Sequence, residues 1–97
     1  MSQEIAALEE LKGRCLAISV AYLDTGIRMR PAIERITKHL NDAVRAPLRP
    51  EATQELAEEL LNLREYLKLI RKHYPEVKPD FDPTIRVCDY LLEINPD

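Results

Sequence analysis

Between residues 56 and 74 the apolar side chains recur at alternating spacings of four and three: Leu56, Leu60, Leu63, Leu67, Ile70 and Tyr74. That spacing puts all six on one face of an α-helix and predicts an amphipathic helix over about 51–74. The charges agree. Glu51, Glu55, Glu58 and Glu59 crowd its first half and Arg64, Lys68, Arg71 and Lys72 its second, the order that the helix dipole favours. A second periodic stretch, about 31–46, sets Ile33, Ile36, Leu40, Ala43 and Val44 inward and Arg35, Lys38, Asp42 and Arg45 outward, as on a surface helix.

The first and last periodic stretches behave differently. Over about 3–25, one apolar row is Leu8, Leu11, Cys15, Ile18 and Tyr22, and a second, on another side, is Leu16, Val20, Leu23 and Ile27. Between them runs a narrow strip of Glu10, Arg14, Ala17, Ala21 and Asp24, whose alanines are small enough to let another helix approach closely. Over about 83–94, Ile85, Cys88 and Leu92 lie on one side and Val87, Leu91 and Ile94 on another. A helix that is apolar on two faces needs two covering partners.

Prolines and glycines mark the predicted breaks. Gly26 suits the left-handed position just past a helix end, and Pro31 suits a helix start. The Ala46-Pro47-Leu48-Arg49-Pro50 stretch cannot continue a helix, Pro75 ends the third, and Asp82 caps a fourth with Pro83 at its first position. The expected fold is all-α: a four-helix bundle-like single domain over 1–97, with helices at about 3–25, 31–46, 51–74 and 83–94. The first and third form its long central pair in this reading, and the two shorter helices leave part of their apolar surface uncovered.

Size and composition narrow the possibilities. A chain of 97 residues buries only roughly 60 to 68% of its unfolded surface, which makes a deep internal active site unlikely at this size. The longest apolar run, Cys15 to Leu23 interrupted by Ser19, falls short of the ~20 residues of a membrane span and lacks the flanks of a secretory segment. Cys15 and Cys88 fall on apolar helical rows, the setting of small buried thiols in a reducing cytoplasmic compartment. Charge is lopsided. Residues 28–49 hold six basic side chains (Arg28, Arg30, Arg35, Lys38, Arg45, Arg49) against Glu34 and Asp42, while the whole chain carries −3.

Candidate chemistry is sparse. Asp24-Thr25-Gly26 resembles the Asp-Thr-Gly triplet of aspartic proteases; that family is all-β, whereas this triplet closes a helical stretch and no second motif follows. Glu55, Glu58, Glu59 and Asn62, with Asp89 and Glu93, resemble the carboxylate sets of all-α nucleoside triphosphate pyrophosphohydrolases, which hold magnesium between adjacent helices. Here Glu55, Glu58 and Asn62 point away from the leucine row, so a solvated acidic face is the simpler account. His39, assigned to the polar side of its helix, and His73 have no ligand-spaced neighbours for a zinc site. Asp80 and Asp82 mimic the opening of a calcium loop, but Ile85 stands where its glycine belongs.

The expectation is therefore a non-catalytic protein that needs no cofactor or metal and works by binding another protein. Its contact residues are Leu16, Val20, Leu23, Val87, Leu91 and Ile94, with Arg35, Lys38 and Arg45 steering an acidic partner; a homodimer would also cover the spare faces. A regulator, inhibitor, chaperone, antitoxin or small subunit would all fit. The alternatives are a magnesium-dependent pyrophosphohydrolase-like enzyme and a nucleic-acid-binding protein using the Arg28–Arg49 segment. A pI of 5.4 and the absence of stacking aromatics near that segment weigh against nucleic acid.

Overall fold

Four α-helices, α1 (Ser2–Ala21), α2 (Leu23–Arg45), α3 (Pro50–His73) and α4 (Lys78–Ile94), with one 3-10 turn at Pro75–Val77, make up the fold. The computed structural model describes the backbone of residues 2–45 and 50–94, and the side chains of residues 3–42 and 54–93. The expected break at Ala46–Arg49 lies outside the described residues. Within them only Tyr22 and Tyr74 fall outside helical structure.

The helices run up, down, up and down. Arg35 of α2 pairs with Glu55 of α3, Arg64 and Arg71 of α3 with Asp89 and Asp82 of α4, and Tyr90 of α4 with Gln3 of α1. Each neighbour in this ring is antiparallel to the next, and the packed pairs are α1 with α2, α2 with α3, α3 with α4, and α4 with α1. The fold is thus an all-α four-helix bundle with short connections between α1 and α2 and between α3 and α4. Its radius of gyration is 13.0 Å, close to the ~12.5 Å of a compact domain of this length. The first and third helices are diagonal to each other and do not form a central pair.

The largest departure from the sequence reading is at the first turn. α2 begins at Leu23, eight residues before Pro31, and carries that proline inside it. Backbone i to i−4 bonds continue on either side of Tyr22, from the Tyr22 N–H to the Ile18 carbonyl and from the Gly26 N–H to the Tyr22 carbonyl. The chain nevertheless folds back there. A straight helix from residue 2 to 45 would be roughly 66 Å long, and the longest dimension of the molecule is 40 Å. Gly26 is what permits the reversal: a Cβ built on it would lie 2.8 Å from the Ser19 Cα and 2.9 Å from the Ser19 Cβ. It serves close helix approach, not a left-handed helix end.

Burial explains why α2 starts early. Thr25, Met29, Ala32, Ile36 and His39 are buried at spacings of four, three, four and three, and they face Leu8, Leu11, Cys15 and Ile18 of α1 across the core. A proline inside a helix costs about 3 kcal/mol, and burying a Met or Ile side chain returns about 1.5–3 kcal/mol each. The same balance extends α4 upstream. It begins at Lys78, with Pro79 in a first turn that has no partners to lose, and continues through Pro83 because Phe81 is fully buried. Asp82 therefore does not cap a helix; its carboxylate accepts a hydrogen bond from Arg71 at 2.7 Å. Phe81 also meets the Tyr22 ring edge-on, with centroids 5.5 Å apart.

Gly26→Ala is expected to lower stability by about 1–3 kcal/mol, since the added methyl forces the α1–α2 backbones apart. Chemical denaturation of this variant checks it. A midpoint equal to or above that of the parent would show that the close approach to Ser19 is not a constraint on the fold.

Candidate interaction surface

α1 sits between α2 and α4, so one side of it faces the core and the opposite side faces solvent. The exposed residues of that outer side include Ala6, Glu9, Glu10, Gly13, Leu16, Ala17, Val20 and Ala21. From Gly13 to Ala21 the one charged residue is Arg14, whose partly exposed guanidinium is paired with Glu10. The apolar character continues over the turn onto α2 through Leu23 and Ile27. Val20 is 81% exposed, Leu23 73% and Ile27 63%, against 46% for Leu16. Scattered exposed leucines are ordinary; a run of four branched aliphatics at one corner is the kind of patch that marks a contact site.

Beside this ridge an open groove runs between α1 and α4. Its lower part, about 570 Å³, is lined by Ala6, Ala7 and Arg14 of α1 and by Pro83, Arg86 and Val87 of α4, and its rim residues Gln3, Glu10 and Tyr90 are exposed. A smaller cavity of about 190 Å³ continues it toward the turn, between Ala17 and Ala21 on one side and Pro79, Asp80 and Thr84 on the other; Arg14 lines both. The alanines expected to allow close approach form the α1 wall. Arg14 is tied to Glu10 at 2.9 Å, and Tyr22 closes the upper end by donating its hydroxyl to Asp80 at 2.7 Å. That carboxylate holds the Tyr22 phenol above its ordinary value.

The residues expected to make contact are distributed unevenly. Leu16, Val20 and Leu23 are exposed, Leu23 on α2 and not α1. Val87 is half-buried in the groove wall. Leu91 is 1% exposed and belongs to the core, because α4 turns the row Phe81, Thr84, Cys88 and Leu91 inward together with Ile85. It has no outward face. The Ile94 and Arg45 side chains lie outside the described residues. Arg35 does not point freely into solvent, since its guanidinium is paired with Glu55 across the α2–α3 seam. Lys38 is exposed.

Two of the candidate acidic residues of α3 and α4 have basic partners. Glu55 is bound to Arg35, and Asp89 accepts a hydrogen bond at 2.9 Å from Arg64, which raises the Arg64 pKa. Glu59 lines a separate cavity of about 210 Å³ with Arg28, Asn62 and Tyr66. Among the described residues no three His, Cys, Asp or Glu side chains cluster as a metal site would require. Cys15 and Cys88 are free and fully buried, and burial pushes both thiols up to about 12, where thiolate chemistry is suppressed. None of the described helices is long and apolar enough to cross a membrane.

Two buried polar groups were not legible in the pattern. His39 was assigned to the polar side of its helix, yet it is 4% exposed and its Nε2 has no hydrogen-bond partner; Thr84 is fully buried with an unpartnered Oγ1. Burial pulls the His39 imidazole below its ordinary value, opposed by the Glu4 and Asp42 carboxylates. Comparison with known proteins finds no family model that matches the chain, and no curated protein or solved structure similar enough to count as a relative.

The His39 shift sets a pH dependence. A histidine held neutral in the fold contributes its full stability above the unfolded value of about 6.5, and that contribution is lost as the pH falls through the lower folded value, because the unfolded chain binds the proton first. Thermal midpoints measured from about pH 7.5 to 5.5 are expected to fall, and His39→Leu to flatten the fall while matching or exceeding the parent at neutral pH. An equally steep fall in the variant would assign the dependence to other groups.

Proposed function

We propose that this chain is a non-catalytic binding protein that docks onto another protein through the apolar corner where α1 meets α2. The observation that carries the reading is the exposure of Val20 and Leu23 together with Leu16 and Ile27, in a chain whose described residues include sixteen other apolar side chains buried almost completely. Leaving four branched aliphatics in water forgoes about 1.5–3 kcal/mol each, a large sum beside the 5–15 kcal/mol total stability of a typical domain. Covering them on a partner recovers it. The groove between α1 and α4, walled by alanines and Val87, extends the same surface.

The contact set in this proposal is Leu16, Val20, Leu23 and Ile27 with Val87 at the edge, and Leu91 is no part of it. Arg30 is exposed on α2 within one turn of Ile27, and Lys38 is exposed further along the same helix; the two favour a partner with acidic groups at its rim. Free, buried cysteines fit a reducing compartment such as the cytoplasm. A regulator, an inhibitor, a chaperone and a small subunit are all versions of this one physical task.

Replacing Val20 and Leu23 by Asp is expected to abolish recovery of a protein partner in affinity capture from the source cells, with the helical circular dichroism and unfolding midpoint retained. Leu91→Asp, by contrast, is expected to unfold the chain through a buried charge. If the parent captures nothing that the Val20/Leu23 variant does not, the docking proposal is wrong.

A further inference from the structure

The cavity of about 190 Å³ at the upper end of the α1–α4 groove has a buried hydroxyl at its floor. Thr84 lines it and is fully buried, and among the described residues its Oγ1 has no hydrogen-bond partner. A buried hydroxyl left unpaired works against the fold, and valine, of the same shape, avoids that cost. A group from outside the chain that pairs with the hydroxyl offsets it. Thr84 stands one turn along α4 from Asp80, which lines the same cavity, and positions four apart share a helix face. Opposite them, Ala17 and Ala21 of α1 end at Cβ and leave the space open. A helical threonine divides between two χ1 settings, so rotation about one bond brings the hydroxyl toward an occupant.

Size and lining define that occupant. At about 30 Å³ for each water-sized unit, the volume holds roughly six heavy atoms. Ala17, Ile18, Ala21 and Pro79 give it apolar walls. Its polar groups have acceptors to spare. The Tyr22 hydroxyl spends its one proton on Asp80 at 2.7 Å, which leaves the phenolic oxygen and the rest of the carboxylate free to accept. Two charged side chains line the cavity. Arg14 is already paired with Glu10 at 2.9 Å, whereas Asp80 has no basic partner among the described residues, and Glu76 adds to the negative field at Tyr22. An anion is repelled there. A primary ammonium on a short alkyl chain matches every part, with three N–H donors and no acceptor, a charge for Asp80, and methylenes for the alanine and proline walls.

We infer that this cavity binds a primary alkylammonium of about four or five carbons, held by the Asp80 carboxylate and the Thr84 hydroxyl. A free amine and a lysine side chain carry the same chemistry. Val20 and Leu23 do not line the cavity, so the site stands apart from the docking corner.

Titration of the full chain with n-butylammonium chloride at constant ionic strength, followed through its amide proton and nitrogen shifts, tests the site. Saturable shifts at Ala17, Ala21, Asp80 and Thr84 are expected, with a dissociation constant on the order of 1 mM for so few atoms. n-Butanol and butyrate are expected to bind at least about tenfold more weakly, and Asp80→Asn to weaken the ammonium by about the same factor with helix content kept. Thr84→Val separates a ligand role from a structural one: it raises the unfolding midpoint by removing the unpaired hydroxyl, yet weakens the ammonium several-fold. No saturable shift up to about 50 mM overturns the inference. So does butanol binding as tightly as butylammonium, or an affinity unchanged in Asp80→Asn or in Thr84→Val. Nα-acetyl-lysine methylamide distinguishes the sources: an affinity matching that of butylammonium assigns the site to a lysine side chain, and a weaker one assigns it to a free amine. Loss of protein capture in the Val20/Leu23 variant is a separate readout and bears on the docking proposal alone.

Discussion

The approach of Gly26 to the Ser19 backbone governs which surfaces this molecule buries and which it shows. With the two backbones in contact, α2 must lie antiparallel to α1 along nearly its whole length, and the Thr25, Met29, Ala32, Ile36 and His39 row is committed to the core. α1 then has α2 on one flank and α4 on the other. A helix in a ring of four has a side turned away from the centre by construction. Because the last turns of α1 carry a second apolar row beside the core row, part of what falls on that side is an apolar row left in water. Leu16, Val20 and the small residues between them occupy it as a consequence of the turn, and no loop or neighbouring helix in the described chain reaches over them.

Among the described residues the ion pairs between helices all involve α3, the helix diagonal to α1. Arg35–Glu55, Arg64–Asp89 and Arg71–Asp82 each join α3 to a neighbour. Partly exposed pairs of this kind are worth about 0–1 kcal/mol each, too little to hold the bundle together, yet they favour the register of α3 against α2 and α4. Cohesion comes from the buried apolar residues, sixteen among those described. The unpartnered His39 Nε2 and Thr84 Oγ1 work against it, at about 1–3 kcal/mol for each buried group left unsatisfied. A core this small that tolerates two such groups leaves little stability to absorb further exposure of apolar surface.

Helix type and number were legible because amphipathic periodicity survives in each segment; the α3 row of Leu56, Leu60, Leu63 and Leu67 is buried as its spacing predicts. The helix starts were not legible, for one physical reason. Pro31 and Pro83 read as boundaries on local grounds, whereas the actual boundaries follow from burial of Met29 and Phe81 upstream of them, which only tertiary packing reveals. The misplaced start of α4 also hid Phe81 and Thr84, and without them Cys88 and Leu91 seemed to belong to two separate rows instead of one inward face. Gly26 shows the same limit: its spacing from Ser19 carries no signal that distinguishes a helix end from a close crossing. The second apolar row read on the first helix is exposed as a set, but only Leu16 and Val20 lie on α1; Leu23 and Ile27 fall on α2, because the helix end was misplaced.

Charge and apolar surface together describe what can sit on the exposed corner. The basic segment is less available than its count suggests, since Arg35 is occupied by Glu55. Arg30 and Lys38 remain exposed on the part of α2 that continues from Leu23 and Ile27. A polyanion would find few free cations around the apolar residues Leu16, Val20, Leu23 and Ile27, with the carboxylate of Asp24 exposed among them, a poor match for a ligand held mainly by counterion release. An apolar helix face finds a ridge and a bordering groove. In the proposed docking reading, shape governs at the centre and charge at the edge, the division of labour expected where two folded proteins meet.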